Sequence, residues 1–96
     1  MGIRDKLADD LMVADWLMLK EHHEREAIFL VSPRLDIIDV GECLANDDTE
    51  KVKSWMVSNL LRRPSDEEVS GWQANEKEKK FSFLIVQPYV LIQIQQ

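Results

Sequence analysis

Ile3, Leu7, Leu11, Ala14 and Met18 follow one another at steps of three or four residues, the repeat of a helix with one apolar face. The spacing predicts helix over about residues 3–24, open to a break near Val13, where Asp15 can cap a second segment that starts at Trp16. The charged run KEHHERE, residues 20–26, closes this part, and AIFLV, residues 27–31, reads as a short buried strand of β-branched and aromatic residues.

Ser32 and Pro33 stop that strand. Asp36 then has the character of an N-cap, with Leu35 before it able to staple onto Val40, and a short helix is expected over residues 37–45. Its inward stripe is Ile37, Val40 and Leu44, and Gly41 lets another element come close at some cost in helix propensity. Asp47 and Asp48 cap a following helix that buries Val52, Trp55, Met56 and Leu60. Residues 60–63 read as a short extended piece, because the position before Pro64 is biased out of the helical region. SDEE, residues 65–68, is a capping box for a further helix with Val69 and Trp72 inward.

Residues 81–95, FSFLIVQPYVLIQIQ, read as strand. Phe81, Phe83 and Ile85 share one face, and Pro88 marks a bulge, a bend or an edge because it cannot donate to a ladder. The predicted architecture is a single α+β domain over residues 1–96, with four or so helices packed on a small, mainly antiparallel sheet that includes a C-terminal strand. Two strands do not make a stable sheet, so either residues 60–63 join it or a second copy of the chain completes it.

Composition narrows the functional classes. The chain is 45% hydrophobic and 31% charged, a globular balance, and twelve Lys and Arg against eighteen Asp and Glu give a net charge of −6. That sign opposes phosphate polymers and anionic membranes. No apolar stretch follows the basic residue of MGIRDKLADD, Lys6 breaks the myristoylation pattern, and the uncharged tail is interrupted by Ser82, Gln87 and Pro88, so neither export, lipid anchoring nor a membrane span is expected. Cys43 is the one cysteine, which leaves no internal disulfide and makes cytoplasm the expected compartment.

Residues 37–64 align with the helix, turn, helix and basic exit of small DNA-binding modules, where Lys51, Lys53, Arg62 and Arg63 would meet phosphates. Asp47, Asp48 and Glu50 stand where that helix would approach DNA, so residues 47–64 carry four positive and three negative charges, too small an excess for the contacts such a complex needs. His22 and His23 are adjacent and point about 100° apart on a helix, so they do not bind one metal together; only His22 with Glu26 has ligand spacing. Asp36, Asp39 and Glu42 recur every third residue, which a helix N-terminus explains better than paired acid catalysis. Cys43 has no base nearby in sequence, and there is no Gly-rich phosphate loop or G-x-S-x-G turn.

PRLDIIDV, residues 33–40, and QPYVLIQ, residues 87–93, together with Trp55 and Trp72, carry a resemblance to domain-of-unknown-function family 2288, a bacterial family of short proteins. The resemblance runs over about residues 5–94. Tyr89 stands where the family usually has tryptophan, and Asn59 where it has a helix-ending glycine; Asn also tolerates the left-handed conformation. The resemblance implies no activity, cofactor or catalytic residue.

The expectation is therefore a protein of unknown function that works by protein association, without intrinsic catalysis or cofactor. An uncharged strand ending VLIQIQQ, with no lysine to guard it, is hazardous if its edge stays open, and a second copy of the chain is the simplest cover. The expected homodimer interface is Phe83, Ile85, Tyr89, Leu91 and Gln93, with an unidentified protein as a further possible partner. The other candidate is a strand at the centre of the chain's own sheet. Nucleic-acid binding through Lys51, Lys53, Arg62 and Arg63 is the alternative function.

Overall fold

The computed structural model describes residues 2–94. In chain order the elements are α1 (Ile3–Asp10), β1 (Met12–Asp15), α2 (Trp16–Glu24), β2 (Ile28–Val31), α3 (Ile37–Ala45), α4 (Thr49–Val57), β3 (Leu61–Arg62), α5 (Asp66–Ala74), β4 (Lys80–Val86) and β5 (Tyr89–Ile94). The strands form one sheet in the order β1-β4-β5-β2-β3. Three of its ladders are antiparallel, and β2 runs parallel to β5 with Phe29 opposite Leu91. The fold is α+β, as the sequence predicts.

Strand alternation sends side chains to two cores, one on each side of the sheet. On one side Ala14, Ile28, Leu30, Phe81, Val90 and Ile92 meet α2 and α5 through Trp16, Leu19, Val69 and Trp72. Trp72 lies 5.1 Å from Trp16 and 5.0 Å from Phe81, centroid to centroid, a tilted cluster that favours edge-to-face contact. On the other side Val31, Leu61, Leu84 and Leu91 meet Leu7 of α1 and Ile37 and Val40 of α3.

The caps explain where helices begin. Asp15, Asp36, Asp48 and Ser65 each accept a backbone N–H of the helix that follows, and Glu68 returns the bond to Ser65 to complete a capping box. Gly41 lies against β4: a Cβ there would sit 2.7 Å from Leu84 Cδ2.

Four sequence expectations need correction. The expected helix over residues 3–24 is α1, a strand and α2, because Leu7 and Ala14 are buried on opposite sides of the sheet and so cannot lie on one helical stripe. The expected single strand over residues 81–95 folds back at Gln87–Pro88, a cis peptide, into the β4–β5 hairpin with Val86 opposite Tyr89; Gln95 lies outside the described residues. Of the two expected ways of completing the sheet, the first is the one seen: Leu61 and Arg62 join it as β3, and β1 adds a further strand. Helix α4 is not buried along the expected stripe: Val52 and Trp55 are half-buried, Met56 is exposed and Leu60 falls beyond the helix end. Only Asp48 caps α4; Asp47 takes a left-handed φ of 55° in the turn before it.

Candidate interaction surface

Of the five residues expected at an interface, Phe83 and Ile85 point to the α2 side of the sheet, half-buried and exposed respectively. Tyr89 is exposed at the start of β5, where its ring packs edge-on to Phe29 at 5.4 Å. Leu91 is fully buried in the chain's own core. The Gln93 side chain is engaged within the chain, donating from Nε2 to the carbonyls of Ser32 at 2.8 Å and Leu35 at 2.7 Å. β5 is an interior strand, and β4 is covered by β1 over residues 80–83, so Leu84, Ile85 and Val86 are paired on the β5 side alone.

The open edges belong to β1 and β3. β3 has two residues and is followed by Pro64. β1 has four, and it carries exposed apolar side chains on both faces: Met12, 58% exposed, beside Phe83, and Val13, 56% exposed, opposite Ser82 on the next strand. Leu11 before them and Leu17 and Met18 after them are exposed as well. Sequence reading missed this edge because Leu11 and Ala14 also satisfy a helical repeat. The available signal was LMVA, four apolar residues in a row between Asp10 and Asp15, too dense for a one-sided helix face.

The four bases of the alternative reading are dispersed among other contacts. Arg62 grips Glu68 with two hydrogen bonds, Nη1 to Oε1 at 2.6 Å and Nη2 to Oε2 at 3.0 Å. This pairing raises the guanidinium pKa and lowers the Glu68 carboxyl to about 2, helped by the Ser65 backbone N–H. Lys51 Nζ lies 5.5 Å from the centroid of the Trp55 ring. Lys53 lines a cavity of about 260 Å³ beside α4, together with Asp47 and Asp48, and Arg63 is exposed, its carbonyl accepting from Arg62 Nη1 at 3.3 Å.

Asp36 is occupied as the α3 cap, and Asp39 pairs with Arg4 of α1, whose pKa is raised mainly by that hydrogen bond. Glu42 lies 3.6 Å from the same guanidinium, so Asp39 and Glu42 tie α1 to α3 through Arg4 while Asp36 caps α3. Cys43 is buried at the floor of the α4 cavity, and burial pushes its thiol pKa up, away from the nucleophilic thiolate. His22 contacts Arg25, and the His23 ring sits 5.6 Å from Trp16. Among the described residues no three His, Cys, Asp or Glu side chains gather as a metal set, and no helix is long and apolar enough to cross a membrane.

No curated protein matches the chain. The NMR solution structure of PA1075 from Pseudomonas aeruginosa is similar to it, with a TM-score of 0.81 and 27% identity over 100% of this chain and 88% of that one. A family model described as "Protein of unknown function (DUF2288)" matches residues 2–94. The chain belongs to that family, DUF2288.

Proposed function

We propose that the chain works by protein association in the cytoplasm, as a homodimer, with no catalytic machinery of its own. The carrying observation is where apolar surface is left uncovered. Ile3, Leu11, Met12, Val13, Leu17 and Met18, all within the first eighteen residues of an acidic chain, are exposed. A soluble chain that leaves so much apolar surface in one region gains free energy by covering it. Of the hairpin residues, Ile85, Tyr89 and the open part of Phe83 are available to such an interface, whereas Leu91 is buried in the core and Gln93 is bonded to the turn after β2.

Sedimentation velocity over a dilution series from roughly 100 to 1 µM, which brackets micromolar affinities, tests the reading. A weight-average mass that falls from twice 11.2 kDa toward 11.2 kDa, or stays at the higher value, supports it; monomer throughout overturns it. Nucleic-acid binding through Lys51, Lys53, Arg62 and Arg63 is the competing function, disfavoured by the Arg62–Glu68 pair and by the acids beside Lys53. A DNA titration at low salt that shows salt-sensitive binding would restore it.

A further inference from the structure

We infer that the partner is a second copy joined along β1, with Val13 of each copy on a two-fold axis normal to the sheet, so that two five-stranded sheets continue as one. This rests on the association reading and names the element that carries it. Natural sheets guard open edges with lysine, proline, a bulge or extreme shortness. β3 has two of these devices, its length and the following Pro64. β1, MVAD, contains neither lysine nor proline, and its one charge, Asp15, stands at its end, where it caps α2 and lies 3.8 Å from Lys80.

The geometry selects the occupant. Each chain has one long open edge, so antiparallel pairing of β1 with itself uses both edges and closes, whereas a head-to-tail arrangement would leave an edge free to propagate. An axis normal to the sheet keeps the α2 helices of both copies on one side. With Val13 on the axis, Met12 of one copy lies opposite Ala14 of the other on that side, and the two Val13 side chains meet on the opposite side. A one-residue slip would set side chains of opposite faces against each other and is excluded.

Charge does not choose the register: antiparallel pairing brings the Asp15 end of one copy, where Lys80 lies 3.8 Å from the Asp15 carboxylate, to the Asp10 end of its mate, where Asp10 is already paired with Lys6 at 3.0 Å. Three paired residues, 12–14, fall short of the roughly 800 Å² per partner of a standard interface, and the exposed Leu17 and Met18 in the first turn of α2, directly after β1, extend the apolar surface.

Two sets of variants test the pairing. Met12→Lys and Val13→Lys alter side chains already exposed in the single chain, so circular dichroism and thermal melting should stay near wild type, while the dimer dissociation constant rises at least about tenfold, since each dimer carries the change twice. Val13→Cys should form an intermolecular disulfide on mild oxidation, which wild type, whose only cysteine is buried, should not. A dimer that both lysine variants leave at wild-type strength, and in which Val13→Cys fails to cross-link, overturns this pairing while the association reading stands. A wild-type monomer at about 100 µM overturns both.

Discussion

Arg62 and Glu68 are joined by two parallel hydrogen bonds, and the same Glu68 carboxylate also accepts the Ser65 backbone N–H at 3.1 Å. One side chain thus fixes the short edge strand β3 to the start of α5 and completes the cap of that helix. Its folded pKa of about 2 lies below the ordinary 4.5, so its contribution to stability is full above pH 4.5 and is lost as pH falls from there toward 2. Glu68→Gln is expected to cost about 1 to 2 kcal/mol at neutral pH, less than full linkage because the Arg62 side chain is 40% exposed to solvent. Urea denaturation at pH 7 and again near pH 2.5 checks it: the gap between wild type and variant should narrow sharply in acid.

Gly41 packs where no side chain fits. An added Cβ would lie 2.7 Å from Leu84 Cδ2 and 3.4 Å from Leu7 Cδ1, and Leu84 is fully buried with little room to move. Gly41→Ala gains up to about 1 kcal/mol of helix propensity and loses about 1 to 3 kcal/mol to overpacking. A net destabilisation of about 1 kcal/mol is expected, where an ordinary exposed helical glycine would give a gain. Chemical denaturation reads the sign directly.

Gln93 holds the turn after β2 to the sheet by its two hydrogen bonds to Ser32 and Leu35. Gln93→Leu keeps much of the volume and takes a donor from both carbonyls; Ser32 keeps the Leu35 N–H at 3.0 Å, so the Leu35 carbonyl bears most of an expected cost of about 1 to 2 kcal/mol. The dimer mass should be unchanged in the variant. A stable variant that has become monomeric would return Gln93 to the interface.

Asn59 follows α4 with φ at 60° in the left-handed region. Asn59→Gly should therefore be neutral to within about 0.5 kcal/mol and Asn59→Ala should cost about 1 kcal/mol, measured by thermal melting. This is also a place where the sequence was readable: the resemblance supplies a glycine there, and the backbone conformation accounts for why Asn substitutes.

Local chemistry was the most legible part of the chain. The bounds of α3, from Asp36 as cap to Ala45, and the capping box at Ser65 follow from side chains acting on neighbouring backbone, a range over which sequence is a direct record. Non-local choices were hidden. Leu7, Leu11 and Ala14 satisfy a helical repeat, and only the sheet decides that Leu7 and Ala14 belong to opposite cores. The tail reads as one long apolar strand because Gln87–Pro88 lacks the Asn-Gly or Asp-Gly signature of a tight hairpin. The candidate surface is hidden for the same reason: the apolar tail suggests an open edge but pairs within the sheet, while the apolar residues of the edge strand β1 satisfy a helical repeat.

Amide hydrogen exchange across residues 12–15, followed as a function of protein concentration, is the most direct trial of an edge-paired homodimer. The backbone amides of β1 that do not bond to β4 should exchange slowly at high concentration and quickly on dilution, in step with the dissociating fraction. Fast exchange at those positions at every concentration would mean that the edge stays open in solution, and the account would be wrong.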